Sequence, residues 1–199
     1  MPIHIGNANA SARRRAATRY LLSGFGAVLL FTAYAANADG TSVYTSVKEG
    51  ECKKPAAALL AFYESRGLVG EECAGVGGWR LFVVASDERS WFELMRDRDL
   101  WSTDEQVVQQ NHFGHFPNIG ADKVEWRLAN TGAPTAFIFR IAAQNPERID
   151  KNLTRLFVIG FKGNTPYFCG VTQSNDEARA LAEKSDSCVT ALRAERPPK

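Results

Sequence analysis

Beyond position 38, the side chains best suited to chemistry are four cysteines, two histidines and a few paired acids. Cys52, Cys73, Cys169 and Cys188 contain no C-x-x-C spacing. Without it they make a poor zinc cage and a poor redox couple. Bonding to one another is their expected role. His112 and His115 sit in the run Asn-His-Phe-Gly-His-Phe. Two imidazoles three residues apart begin a metal site if Asp104 or Asp122 supplies a third ligand. Gly114 and Pro117 place the pair on a loop, and the plainer reading is two solvent-facing histidines between Phe113 and Phe116, which pack. Asp87 with Glu88, or Asp104 with Glu105, has the composition of a glycosidase's carboxylate pair. Adjacent acids in turns are far more often solvated surface. There is no G-x-S-x-G elbow, and bonded cysteines leave no thiolate nucleophile. An envelope hydrolase using these carboxylates, or a metal held by His112 and His115, is therefore the second reading of function.

Binding is the first. Trp91, Phe92 and Trp101 flank the charged stretch from Asp87 to Asp99, beside Arg96 and Arg98. Aromatics next to arginines suit a contact surface for an envelope protein or a cell-wall glycan. The competing expectation is that these rings fill the core. Glu125, Arg127 and Arg140 have the spacing of an ion-paired ladder across two neighbouring strands. The sequence predicts no cofactor. The glycines of Ala74 to Gly78 have the wrong spacing for a dinucleotide fingerprint, and a strand follows them rather than a helix.

The N-terminus reads as an address. Arg13, Arg14, Arg15 and Arg19 precede the apolar run Leu21 to Ala36, and Ala36-Asn37-Ala38 is a small-x-small site. This is the layout of a secretory signal peptide cleaved after Ala38. The run is glycine-broken and short of the roughly 20 residues that span a bilayer, so no stable membrane anchor is expected after cleavage. Three adjacent arginines also raise the twin-arginine route, at poor spacing. Localisation is thus periplasmic or secreted, and export agrees with an even cysteine count.

Of the 199 residues, 45% are hydrophobic and 23% charged, ordinary for one globular domain. The net charge of +2 comes from 24 basic and 22 acidic residues. Removing the four N-terminal arginines leaves 24 − 4 = 20 against 22. A balance of −2 is not built to neutralise nucleic-acid phosphates.

The elements that must hold these groups are mostly strands. Thr41 to Ser46, Trp79 to Ser86 and Ser90 to Met95 are rich in β-formers. Pro55 to Arg66 is ambiguous, and Trp101 to Ile119 reads as a long loop or a short helix plus loop. Lys123 to Leu128 alternates, with Val124 and Trp126 opposite Glu125 and Arg127. Thr135 to Ala142, Thr154 to Lys162 and Tyr167 to Val171 complete a four-strand meander. Ser174 and Glu177 form a capping box opening an amphipathic helix over Ser174 to Asp186. Tyr167, Cys169 and Val171 share one face of their strand, and the helix face of Ala178, Leu181 and Ala182 continues to Cys188. A helix laid on the sheet brings Cys188 to Cys169, which pairs Cys52 with Cys73. The fold class is α+β: a mainly antiparallel β-sheet meander with a C-terminal amphipathic helix packed on it and two disulfides. The domain runs over 39–199, with a frayed tail from about 193.

The run Val43-Tyr44-Thr45-Ser46, Cys52, Cys73-Ala74-Gly75 with Gly77-Gly78-Trp79, Glu125-Trp126-Arg127, Phe168-Cys169-Gly170-Val171 and a helix before Cys188 resembles a family of small exported alphaproteobacterial proteins of no assigned function. The resemblance implies export, one domain and two disulfides. It supplies no catalytic residues.

Overall fold

The computed structural model describes residues 40–110 and 112–198; the expected signal peptide at 1–38 lies outside them. In chain order the elements are β1 (Thr41–Ser46), α1 (Ala57–Glu64), β2 (Val69–Cys73), β3 (Arg80–Ser86), β4 (Arg89–Arg96) and β5 (Asp99–Ser102). A π-helical turn, Glu105–Gln109, then leads to β6 (His115–Ile119), β7 (Lys123–Leu128), β8 (Pro134–Gln144), β9 (Asn152–Lys162) and β10 (Thr165–Thr172). The chain ends with α2 (Asn175–Ala182), a 3-10 turn at Ser185–Ser187, β11 (Thr190–Ala191) and β12 (Arg193–Glu195).

The expected meander is present. β7, β8, β9 and β10 are antiparallel neighbours, extended by β1 beside β7 and β11 beside β10. β8 is long enough to pair β7 along its first half and β6 along its second. A second antiparallel sheet runs β12-β5-β4-β3-β2. Its hairpins turn at Asp87 and Asp97, both with positive φ, a conformation aspartate tolerates better than most residues.

Alternation builds the layers. Along β9, Phe157, Ile159 and Phe161 enter the main core with Phe92 and Trp101 of the second sheet. The intervening Leu156 and Val158 pack with Ala136, Ile138, Ala178 and Ala182, under α2. Phe92 meets Phe139 edge-on at 4.9 Å between ring centroids, and Trp79 stacks on Phe161 at 4.6 Å. α1 lies on the other side of the second sheet, where Tyr63 packs against Phe82. The order is therefore α1, second sheet, meander sheet, α2. Ser174 caps α2 by accepting from the Glu177 backbone, and Glu177 returns the bond, the reciprocal box its sequence predicts.

Cys52–Cys73 and Cys169–Cys188 are the two disulfides, the pairing expected from strand and helix geometry. The helix period does not carry Cys188 there, however. α2 ends at Ala182, and the 3-10 turn delivers Cys188 in extended backbone. Two disulfides mark a protein of an oxidising, non-cytoplasmic compartment. Among the described residues no helix is long and apolar enough to cross a membrane.

Several expectations are corrected. The ambiguous segment after Pro55 is helix α1. The stretch after Trp101 is not a plain loop, since it holds the end of β5, the π-helical turn and β6. The tail is not frayed from 193, because Arg193 to Glu195 pair with Leu100 to Ser102 and Arg196 donates to Asp99 at 2.6 Å. The three-member ladder does not form. Glu125 and Arg127 approach at 3.7 Å, but Arg140 donates to Thr154 and Asn175 instead.

Candidate functional site

The proposed aromatic surface is a piece of core. Trp91, Phe92 and Trp101 are 5%, 0% and 5% exposed. Phe92 and Trp101 face the meander sheet, and Trp91 lies on the opposite face of β4, donating to Glu93. Burying three large rings outweighs any contact role they offer at the surface. Of the charged residues between them, Asp97 and Arg98 sit exposed in the turn, whereas Glu93 is buried within β4.

The two histidines diverge. His115 pairs with Gln144 in the β6–β8 ladder and packs edge-on against Phe116. His112 stands at the rim of a cleft beside Phe113. Asp104 accepts from Gln109 at 2.7 Å, and Asp122 is exposed, its backbone carbonyl accepting from Val47. Among the described residues no three His, Cys, Asp or Glu side chains converge as a metal cage. Glu105 accepts from Gln110 at 2.8 Å, and Asp87 pairs with Arg89 at 3.8 Å.

The cleft has a volume of about 310 Å³, the lower end of the range for small-ligand sites. One wall is the inward face of the meander sheet where β9 and β10 run past the second sheet: Arg155, Phe157, Phe168 and Val171. The other is Gln106 and Gln110 from the π-helical turn, with His112 and Phe113 after it. Thr103 fixes that turn on β4, with its hydroxyl accepting from the Phe92 N–H at 3.2 Å and donating to the Phe92 carbonyl at 2.9 Å. The turn's wide i to i+5 bond, Gln110 N–H to the Glu105 carbonyl at 2.8 Å, is the kind of helix irregularity often found at functional sites.

A bulge places Val171 in the cleft. Tyr167 lies opposite Gly160 and Val171 opposite Phe157, with the register slipping between Phe168 and Gly170. Gly170, at that slip, takes φ +148°, a backbone conformation that side chains other than glycine's disfavour. Cys169 stays under α2, while Val171 turns to the opposite face. The expected common face of Tyr167, Cys169 and Val171 is thereby corrected.

Polar chemistry in the cleft is sparse and specific. Gln106 is 5% exposed, and its Oε1 has no hydrogen-bond partner. An unpaired buried acceptor costs about 1–3 kcal/mol. Arg155 donates to the Thr154 carbonyl at 2.8 Å and holds its guanidinium 5.5 Å from the Phe113 ring centre. None of the side chains lining the cleft is acidic.

No protein-family model, no curated protein and no solved structure matches this chain. The site must be judged on its own geometry.

A second polar cluster lies between β1, β7 and α2. Glu125 accepts from Arg179 at 2.9 Å and from the Ser42 hydroxyl at 2.5 Å. Arg127 donates to Ser42 at 2.6 Å and to Glu183 at 3.1 Å, leaving its Nε unpartnered. Burial pushes the Glu125 carboxyl up, but the bonds from Arg179 and Ser42 outweigh it and hold it below the usual range. The groove above is lined by Arg127 and Arg179 against Asp176 and Glu183, so its charges cancel. This cluster fastens α2 to the sheet.

Sequence reasoning reached the cleft only through His112 and Phe113. Gln106, Arg155, Phe168 and Val171 were not singled out. The signals were present but faint: an arginine on the inward side of an apolar strand, and Cys-Gly in a strand as a bulge mark.

Proposed function

We propose that the protein is an exported, non-catalytic binding domain of the cell envelope or its surroundings, and that the cleft beside the π-helical turn is its ligand site. Met1 to Ala38 act as the cleaved signal peptide, and the mature chain begins at Asp39. Two disulfides support the export part of this reading. The observation that carries the binding part is Gln106, a buried amide with an unsatisfied oxygen in the wall of a cleft whose floor is aromatic and whose other polar side chains are Gln110, His112 and Arg155. Folding alone gains nothing from that arrangement, whereas a ligand donor would complete it. Among the described residues no nucleophile or general base stands in the cleft with a partner to activate it, which supports binding over catalysis.

The test is a fragment screen read by amide chemical shifts in the disulfide-bonded protein. Binders are expected to move Gln106, Phe113 and Phe168 together, and Val171→Trp is expected to abolish the shifts by filling the cleft. Val171 is 43% exposed, so the larger ring has room without disturbing the core. Shifts scattered over other faces, unaffected by Val171→Trp, would remove the cleft as the site.

A further inference from the structure

Resting on the reading of the cleft as a ligand site, we infer that its ligand is a small organic acid with a flat apolar body and a hydroxyl or N–H donor at the end remote from the carboxylate. Three observations define this class independently. The body is set by Phe113, Phe157 and Phe168, with Phe157 and Phe168 6.3 Å apart between ring centres and Phe113 likewise 6.3 Å from Phe157. Phe157 is 1% exposed and backs the other two, so the half-buried Phe113 and Phe168 are the rings that offer faces and edges to a planar group.

The charge is set by Arg155. It sits half-buried on β9, and no described carboxylate pairs with it, whereas Arg80, Arg127 and Arg179 each have an acid partner; of the other half-buried arginines without one, Arg140 bonds Thr154 and Asn175 and Arg96 lies over Trp79, both away from the cleft. The side chains lining the cleft thus carry one uncompensated positive charge. A planar guanidinium takes a carboxylate in two parallel bonds, a geometry that an alcohol or amide does not reproduce. His112 at the same rim supplies a ring N–H in either protonation state.

The remote donor is set by Gln106. Its Oε1 is an acceptor with nothing to accept, and the terminal torsion of glutamine is soft enough to turn that oxygen to the cleft. Because Gln106 is buried and Arg155 half-exposed, the ligand's donor goes in first and its carboxylate stays at the mouth. A site built to bond a hydroxyl discriminates strongly against the analogue that lacks it, since the buried acceptor is then left unpaired.

The experiment titrates the disulfide-bonded protein by calorimetry and amide shifts with three probes that share one body: 4-hydroxyphenylacetate, phenylacetate and 4-hydroxyphenylethanol. The first is expected to bind, and the other two to bind about tenfold or more weakly. In Arg155→Gln the gap between the acid and the alcohol closes. In Gln106→Met, close in shape, the gap between hydroxylated and plain acids closes. If the alcohol binds the parent protein as well as the acid, with shifts at Gln106 and Phe168, the ligand class is overturned and the cleft remains a binding site. If no probe moves the cleft amides up to about 10 mM, a weak limit for so small a ligand, both the class and the cleft reading fall.

Discussion

Tyr63 of α1 donates its hydroxyl hydrogen to Glu93 Oε2 of β4 at 2.9 Å, beneath the helix and out of reach of water. Glu93 is 2% exposed and also accepts from Trp91 Nε1 at 3.4 Å. Burial raises the Glu93 carboxyl above its ordinary value of 4.5, and the bonds from Tyr63, Trp91 and Ser102 only partly oppose that rise. Burial likewise pushes the Tyr63 phenol far up, so it remains a donor throughout. A carboxyl raised on folding binds its proton more tightly in the native state. Its stabilising contribution is complete below pH 4.5 and is lost as pH rises through the native value. Glu93→Gln mimics the neutral acid. It is expected to gain about 1–2 kcal/mol over the parent at pH 8 and little at pH 4.5. Denaturant unfolding at both values checks this, and a gap that widened toward acid would reverse the assignment.

Glu125 titrates in the opposite sense. Its carboxyl is held below the usual range, so its contribution is present above pH 4.5 and lost as pH falls through the native value. Glu125→Gln removes the negative charge that pairs with Arg179 and leaves the buried Arg127 with Glu183 as its only anion. Breaking a buried pair costs about 3–5 kcal/mol. Arg179 is partly solvated, so about 2 kcal/mol is expected at pH 7. The deficit should shrink as pH falls through the native value and the parent carboxyl takes up its own proton. Urea unfolding followed from pH 7 downward measures it.

These two carboxylates show what the sequence made legible. Alternation in Lys123 to Leu128 put Glu125 and Arg127 on the face away from Trp126, and the structure keeps them there. Periodicity could not say that α2 would cover that face and supply Arg179. Glu93 stands between Phe92 and Leu94 in a strand of mixed character, and only α1, ambiguous in sequence, explains its burial. The meander, the capping box and the disulfide pairs follow from local pattern, because each depends on neighbours within about 20 residues. In the second sheet β2 to β5 are consecutive hairpins, but its last edge is β12 pairing with β5 across 91 residues from Ser102 to Arg193, and neither that return nor the packing of this sheet on the meander is encoded by local pattern. The same limit misassigned Trp91, Phe92 and Trp101, since aromatics beside charges look alike whether a second sheet covers them or not.

The disulfides close segments of 21 and 19 residues, each worth about 3 kcal/mol by chain entropy. Non-reducing peptide maps are expected to recover Cys52 with Cys73 and Cys169 with Cys188. The consequences of removal differ by place. The first bridge spans α1, so Cys52→Ser with Cys73→Ser should speed amide exchange in Ala57–Glu64 and loosen Tyr63 from Glu93. The double serine replacement at Cys169 and Cys188 should instead release the 3-10 turn and leave α1 protected. Hydrogen exchange with mass detection separates the two, and equal deprotection of α1 in both variants would mean the layers unfold as one unit.

Gly160 sets how closely that 3-10 turn can lie on β9. A Cβ there would stand 2.6 Å from Ser185 Cβ and 2.9 Å from Cys169 Sγ, nearer than unstrained atoms approach. Ser185 is buried and Cys169 is bonded to Cys188, so neither neighbour swings aside freely. Gly160→Ala is expected to cost about 1–3 kcal/mol, the ordinary cost of overpacking. It should also lift the turn from the strand and expose the bridge, so that a mild thiol reduces Cys169–Cys188 faster while Cys52–Cys73 is unchanged. Gly163→Ala is the control. Its φ of +60° makes alanine strained, yet nothing lies within 4 Å of the added carbon. That variant should lose about 1–2 kcal/mol through backbone strain alone and leave both reduction rates as they were. Faster reduction in both variants would tie bridge exposure to global stability, and not to the contact between Gly160 and Ser185.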